Sequence, residues 1–210
     1  MQRRIFIAIN LAENIKNKLQ KCQQEWADLP VRFAKKDSLH LTLLFIGYVS
    51  DEQMLETCRK VREIAQKHRP FELNFTKIRL APPGKSSYAK ASEDRAPRLI
   101  WIEGEKSEAL INLKRDIEKM MVSGEDKKRA FFQIDRGLNV FIPHITLARI
   151  RQMAWKSLDK VPEINKEVRI TSGVYSIEVM ESDMKPSSAK ASKGRGVGVE
   201  YVILESAELG

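Results

Sequence analysis

Cysteine is scarce. Cys22 and Cys58 are the only thiols in 210 residues, too few for a disulfide framework, and their spacing matches no metal motif. Both fall on the apolar stripes of predicted helices, where a free thiol packs as a small hydrophobe. Long hydrophobic runs are missing as well: none approaches the roughly 20 residues that a membrane-spanning helix needs. A secretory leader is not legible either. The stretch 1–10 carries Arg3 and Arg4, its apolar part is short and strand-like, and a small-residue cleavage site is lacking. The expected location is therefore cytoplasmic, with no membrane partner. Acidic residues are outnumbered, 28 Asp+Glu against 37 Lys+Arg, which gives a formal charge of +9 and a pI near 9.5. That excess favours a polyanionic partner such as nucleic acid or a phosphate substrate.

What is present is a chain with 42% hydrophobic and 31% charged residues. This excludes a disordered or fibrous protein and supplies a sizeable core. The length suits one large domain or two closely packed lobes. Residues 3–10 read as a strand with Ile5, Ile7 and Ile9 on one face. From Glu13 the period becomes helical, through Ile15, Leu19, Cys22, Trp26 and Leu29, until Pro30 stops it. A short extended piece at 31–33 precedes an apolar strand at 40–46. Ser50 and Gln53 have capping-box spacing ahead of a helix with Met54, Cys58, Val61 and Ala65 inward. Beyond Pro70 the pattern predicts a β segment at 71–80, a strand at 98–102, and a helix from 107 to about 121. It then predicts a strand at 141–150, a short helix near Trp155, one strand over 168–180 and a last strand at 199–204.

Two things repeat. Each half of the chain runs in the order strand with His-x-Thr, helix, long β segment, polar loop, final strand. The loops also resemble each other: Ser86-Ser87-Tyr88-Ala89-Lys90-Ala91-Ser92 and Ser187-Ser188-Ala189-Lys190-Ala191-Ser192. Small, charged and Ser-rich, they read as extended hairpin loops that cannot bury enough surface to order themselves.

The chain has three histidines, and two stand in matching contexts, His40-Leu41-Thr42-Leu43 and His144-Ile145-Thr146-Leu147. Alternation by two on a strand sets His and Thr of each motif on one face and the apolar residues on the other. If a pseudo-two-fold axis relates the halves, two imidazoles and two hydroxyls converge across a groove. Histidine titrates near neutrality, so a pair can hold one acid and one base. In-line displacement at phosphorus places the attacking and leaving oxygens on opposite sides, which suits one His on each wall. The Thr hydroxyls can donate to the non-bridging oxygens. Zinc needs three or four protein ligands, and no carboxylate or third histidine accompanies either motif, so neither metal nor cofactor is expected. His68 closes a helix just before Arg69-Pro70, where positive charge suits the helix dipole; it reads as structural.

The paired motifs, with His144-Ile145-Thr146-Leu147-Ala148-Arg149 in the second, resemble the 2H phosphoesterase superfamily, and within it the RNA 2′,3′-cyclic phosphodiesterases, also called 2′-5′ RNA ligases. The opening Arg4-Ile5-Phe6-Ile7-Ala8-Ile9-Asn10-Leu11, Pro143 before His144, and Val179-Met180-Glu181-Ser182 are similar to that family too. The resemblance implies an α+β, bilobal fold: two pseudo-symmetric, interleaved lobes in one domain over 1–210. Each lobe would be an antiparallel β-sheet flanked by helices, with the active-site cleft between them. It implies metal-independent hydrolysis of a terminal 2′,3′-cyclic phosphate to a 2′-phosphate. His40 would be the proton donor to the departing 3′-oxygen and His144 the proton acceptor that activates water. Thr42 and Thr146 would hold the phosphate, with Arg149 assisting. RNA ends or nucleotides bearing a 2′,3′-cyclic phosphate are the implied partners, and a monomer is expected. Strict alternation, however, sets Arg149 opposite His144 and Thr146, so it reaches a phosphate only if the strand bulges or ends first. Two other readings use the same residues or charge: 2′-5′ RNA ligation, and a non-catalytic RNA-binding module with Trp155, Tyr88 and Phe141 as stacking platforms. These aromatics are better explained as core or surface fillers, and none is nominated.

Overall fold

A computed structural model of the chain describes residues 2–81, 97–122, 141–183 and 200–210. The two Ser/Lys/Ala loops lie outside the described residues.

The chain opens with β1 (Arg3–Asn10), buried on both faces from Ile5 to Ile9. Its alternation feeds two separate packings. Ile5, Ile7 and Ile9 enter the main core, while Phe6 and Ala8 join a small second cluster with Met180 and Tyr201. Helix α1 (Glu13–Gln24) follows and buries Ile15 and Leu19. It ends earlier than the apolar period predicts. Trp26, Ala27 and Leu29 donate their N–H groups three residues back, to Gln23, Gln24 and Trp26, so the last stretch tightens into turns that keep Trp26 and Leu29 against the core.

Strand β2 (Val31–Phe33) leads through a 3-10 turn (Lys36–Ser38) into β3 (His40–Val49). Helix α2 (Asp51–Ala65) begins at the expected capping box: Ser50 Oγ accepts from the Gln53 N–H, and Gln53 Oε1 accepts from the Ser50 N–H. Then come β4 (Phe71–Ala81), β5 (Leu99–Gly104), α3 (Glu108–Val122), β6 (His144–Ile150), α4 (Gln152–Lys156), β7 (Asn165–Val174), β8 (Ser176–Asp183) and β9 (Glu200–Glu208). Three expectations are corrected. The segment read as one strand over 168–180 is two, β7 and β8, parted at Tyr175. The strand expected from 141 starts at His144, and the last strand runs on to Glu208 rather than ending at 204.

All strand pairs are antiparallel, in the order β7-β4-β5-β6-β3-β1-β8-β9, with β2 also on β6. The sheets expected of separate lobes are two wings of this one sheet, β3-β1-β8-β9 and β6-β5-β4-β7. They meet at one paired position, Leu41 opposite Ile145. The hairpins are exchanged between the halves of the chain: β4–β5 extends the wing of β6, and β8–β9 extends the wing of β1 and β3. Because consecutive Cα atoms are about 3.8 Å apart, the single residue Tyr175 between β7 and β8 brings the end of the outermost strand of one wing close to the start of β8 in the other. One sheet face carries the main core beneath the helices. The other carries the histidines at the wing junction.

Candidate active site

The two motif strands have the same burial sequence. From His40 to Ile46, and from His144 to Ile150, it reads half-buried, buried, half-buried, buried, buried, exposed, buried. His40 and Thr42, like His144 and Thr146, therefore face away from the core that takes Leu41, Leu43, Ile145 and Leu147. Two consecutive buried residues break strict alternation, and the pairing shows why. Ala8 pairs with Thr42 while its neighbour Ile7 pairs with Leu44, leaving Leu43 as an extra residue. Likewise Trp101 pairs with Thr146 and Ile100 with Ala148, leaving Leu147 extra. Each strand thus carries a β-bulge just past its threonine. The bulge corrects the expected placement of Arg149: pairing with Leu99 on β5 returns it to the face of Thr146 and His144. Phe45 is its counterpart on β3.

With Leu41 opposite Ile145 in an antiparallel pair, alternation sets His40 across from Thr146 and Thr42 across from His144. The four side chains share one face at the wing junction. Among the described residues neither threonine hydroxyl has a hydrogen-bond partner.

The two imidazoles have different surroundings. His40 sits against Phe6, ring centroids 5.0 Å apart, and against Tyr201 at 4.9 Å in a T-shaped contact. Burial pushes its pKa down to about 4, the nearby Ser38 backbone pulls it partly back, and Lys16 and His144 lower it further. Its Nδ1 is buried outside hydrogen-bonding geometry. Asn10 stands opposite His40 on β1, and the Asn10 N–H donates to buried Glu178 at 2.8 Å. Burial raises the Glu178 pKa, offset by the Ser176 hydroxyl and the Asn10 N–H.

His144 is better anchored. Its Nδ1 lies 2.8 Å from the Ile142 carbonyl, and a carbonyl can only accept, so Nδ1 carries the proton and Nε2 is the free lone pair of the neutral ring. Trp101 stacks on it with centroids 4.2 Å apart and planes tilted 38°. Burial lowers its pKa, while the Ile142 carbonyl and the Glu103 carboxylate act in the opposite direction. Arg149 is exposed and stands opposite Arg32 on β2, which adds two guanidinium groups to this end of the face.

Other sequence candidates fall elsewhere. Trp155 is core, Phe141 is half-buried with Lys114 Nζ 4.8 Å from its ring centroid, and Tyr88 lies outside the described residues. His68 is 3.2 Å from Asp116 of α3, apart from the motif strands. Sequence reasoning missed Phe6, Tyr201, Trp101 and Glu103 as neighbours of the histidines. Ala8, Asn10, Trp101 and Glu103 alternate on apolar strands, which signals a shared face but not which motif that face meets.

The duplicated His-x-Thr strands at the junction of two antiparallel wings are the feature that resembles the 2H phosphoesterases. The family model described as LigT like Phosphoesterase matches residues 9–88 of the chain, which include the first motif. The chain is similar to the RNA 2′,3′-cyclic phosphodiesterase of Aquifex aeolicus, 23% identical over 210 residues that cover 99% of this chain and 97% of that one. In fold it is similar to a protein of Thermus thermophilus, with a TM-score of 0.75 at 22% identity over 98% of this chain and 97% of that one. It is also similar to E. coli LigT in complex with 3′-AMP, with a TM-score of 0.66 at 21% identity over 100% and 99%.

Proposed function

We propose that this phosphoesterase opens the terminal 2′,3′-cyclic phosphate of RNA to a 2′-phosphomonoester, by general acid–base catalysis between two histidines and without a metal ion. The observation that carries the reading is the pair of bulged His-x-Thr strands, with two imidazoles and two hydroxyls on one face, the hydroxyls without a hydrogen-bond partner among the described residues. The name and near-complete coverage of the Aquifex relative support the substrate class.

His144 Nε2 takes a proton from water as the water oxygen attacks phosphorus. The P–O3′ bond breaks on the far side, and His40 gives its proton to the departing 3′-oxygen. One P–O bond forms and one breaks; the proton gained by His144 and the one lost by His40 are then exchanged with solvent. Thr42 and Thr146 donate to the non-bridging oxygens, where charge builds up. The surroundings fit these roles. Glu103 steadies the imidazolium that forms on His144. His40, buried and beside Lys16, holds a proton weakly, so it takes one up only when the phosphate anion is beside it and then releases it readily. General acid–base assistance of this kind is worth about 10²–10⁴-fold.

The test is product identity: the protein is incubated with a nucleoside 2′,3′-cyclic phosphate in excess chelator and followed by phosphorus NMR. The 2′-phosphate is expected. A 3′-phosphate, or turnover that needs added metal, contradicts the reading.

A further inference from the structure

The two motif strands are near copies, so their neighbours provide an internal comparison. Opposite His40 stands Asn10, and opposite His144 stands Glu103; opposite Thr42 stands Ala8, and opposite Thr146 stands Trp101. At these register positions the aromatic ring and the carboxylate stand on the His144 side only; the rings against His40, Phe6 and Tyr201, come from other positions. Trp101 is 8% exposed and stacks on His144 at 4.2 Å. Its Nε1–H donates to Glu103 Oε1 at 2.9 Å, and Arg79, opposite Trp101 on β4, donates Nε–H to the same oxygen at 2.5 Å. Three strands thus link a guanidinium, a carboxylate, an indole and an imidazole in one chain of contacts.

We propose that Trp101 and Glu103, fixed by Arg79, are positioning residues for His144: the indole sets the plane of the imidazole, and indole face and carboxylate together support the cation it becomes on accepting a proton. The assignment of that proton to catalysis rests on the phosphodiesterase reading above. An indole face attracts a cation, most strongly where water is excluded. The bond from Trp101 to Glu103 keeps the ring from sliding off the imidazole, and the bond from Arg79 keeps the carboxylate from turning to solvent. The other ionisable groups facing His144 are His40 on β3, Lys77 opposite Glu103 on β4, and the Arg149–Arg32 pair across β6 and β2. Lys16 of α1 acts on His40. Glu103 is the carboxylate that raises the proton affinity of His144.

Three variants test this. Glu103→Gln keeps an acceptor for the indole and removes the charge; Trp101→Leu removes the ring; Trp101→Phe restores a ring without the N–H. The readouts are the ¹⁵N-detected titration of the His144 imidazole in the free protein, kcat and KM on a 2′,3′-cyclic nucleotide, and Tm. In Glu103→Gln the His144 midpoint should move to lower pH, with kcat down about tenfold and KM little changed. Trp101→Leu should lose about ten- to hundredfold in kcat, and Trp101→Phe should recover most of it. If Trp101→Leu does not fold, the other two variants decide. An unmoved His144 midpoint in Glu103→Gln, or kcat losses that only follow Tm, would overturn the proposal. The titration needs no turnover, so a wild-type protein that hydrolyses no cyclic phosphate would sink the phosphodiesterase reading and leave this test standing.

Discussion

Leu41 of β3 lies directly opposite Ile145 of β6, and both side chains are fully buried, at 0% exposure. This one pair joins the two wings and sits between the histidines and threonines of both motifs. Its packing into the main core is what holds the four polar side chains on a common face. Leu41→Ala should destabilise the fold by about 2–5 kcal/mol, the range for a large-to-small change in a packed core. It should also lower kcat more than the residual folded fraction explains, because the junction itself loosens. Denaturant unfolding together with activity corrected for folded protein checks both; a loss of stability with full activity per folded molecule contradicts the junction's role.

Substrate binding should take up a proton near pH 7. Free His40 is neutral there, its pKa held near 4 mainly by burial, and a bound phosphate anion favours its cation. Calorimetry in buffers of different ionisation enthalpy measures the uptake, expected to approach one proton per substrate; none would contradict the donor role. Both histidines titrate below the ordinary 6.5, and catalysis needs one proton on the pair. So kcat/KM, which reports the free enzyme, should already be falling as pH rises toward 6.5, while kcat holds to higher pH. The same depressed values fix the sign for stability: the unfolded chain binds protons that the folded chain declines. The fold should lose stability as pH drops from about 6.5 toward 4.

Much of this was legible in the sequence, for a physical reason. Period-two alternation marks His and Thr as sharing a face, and the repetition of His-x-Thr marks two equivalent strands. The bulges were not legible, because Leu43-Leu44 and Leu147-Ala148 read as ordinary apolar stretches; an extra residue is visible only against a partner strand. The turn at Tyr175 was hidden in the same way, since alternation continues through the point where the chain leaves β4 for the other wing. Trp101 and Glu103 meet His144 through register between distant strands, which sequence spacing does not encode.

The bulge past Thr146 returns Arg149 to the face of His144 and Thr146, where strict alternation would not place it, and the proposed phosphate contact there can be tested. Arg149→Gln should raise KM for a cyclic nucleotide about ten- to hundredfold, as expected for losing a charge-assisted contact of about 1.5–3 kcal/mol. Arg149→Lys should recover part of the loss. Steady-state kinetics check this, and an unchanged KM in Arg149→Gln would place the guanidinium outside the phosphate's reach.

The central claim is that His40 and His144 act on one phosphorus atom as a unit. The most direct measurement is single-turnover hydrolysis of a 2′,3′-cyclic nucleotide by wild type, His40→Ala, His144→Ala and the double variant, in chelator. Each single variant should lose about 10²–10⁴-fold, and the double variant should lose little more than the worse single one, because groups that act together are not additive. Losses that multiply in the double variant, or a single variant that keeps wild-type turnover, would contradict the account.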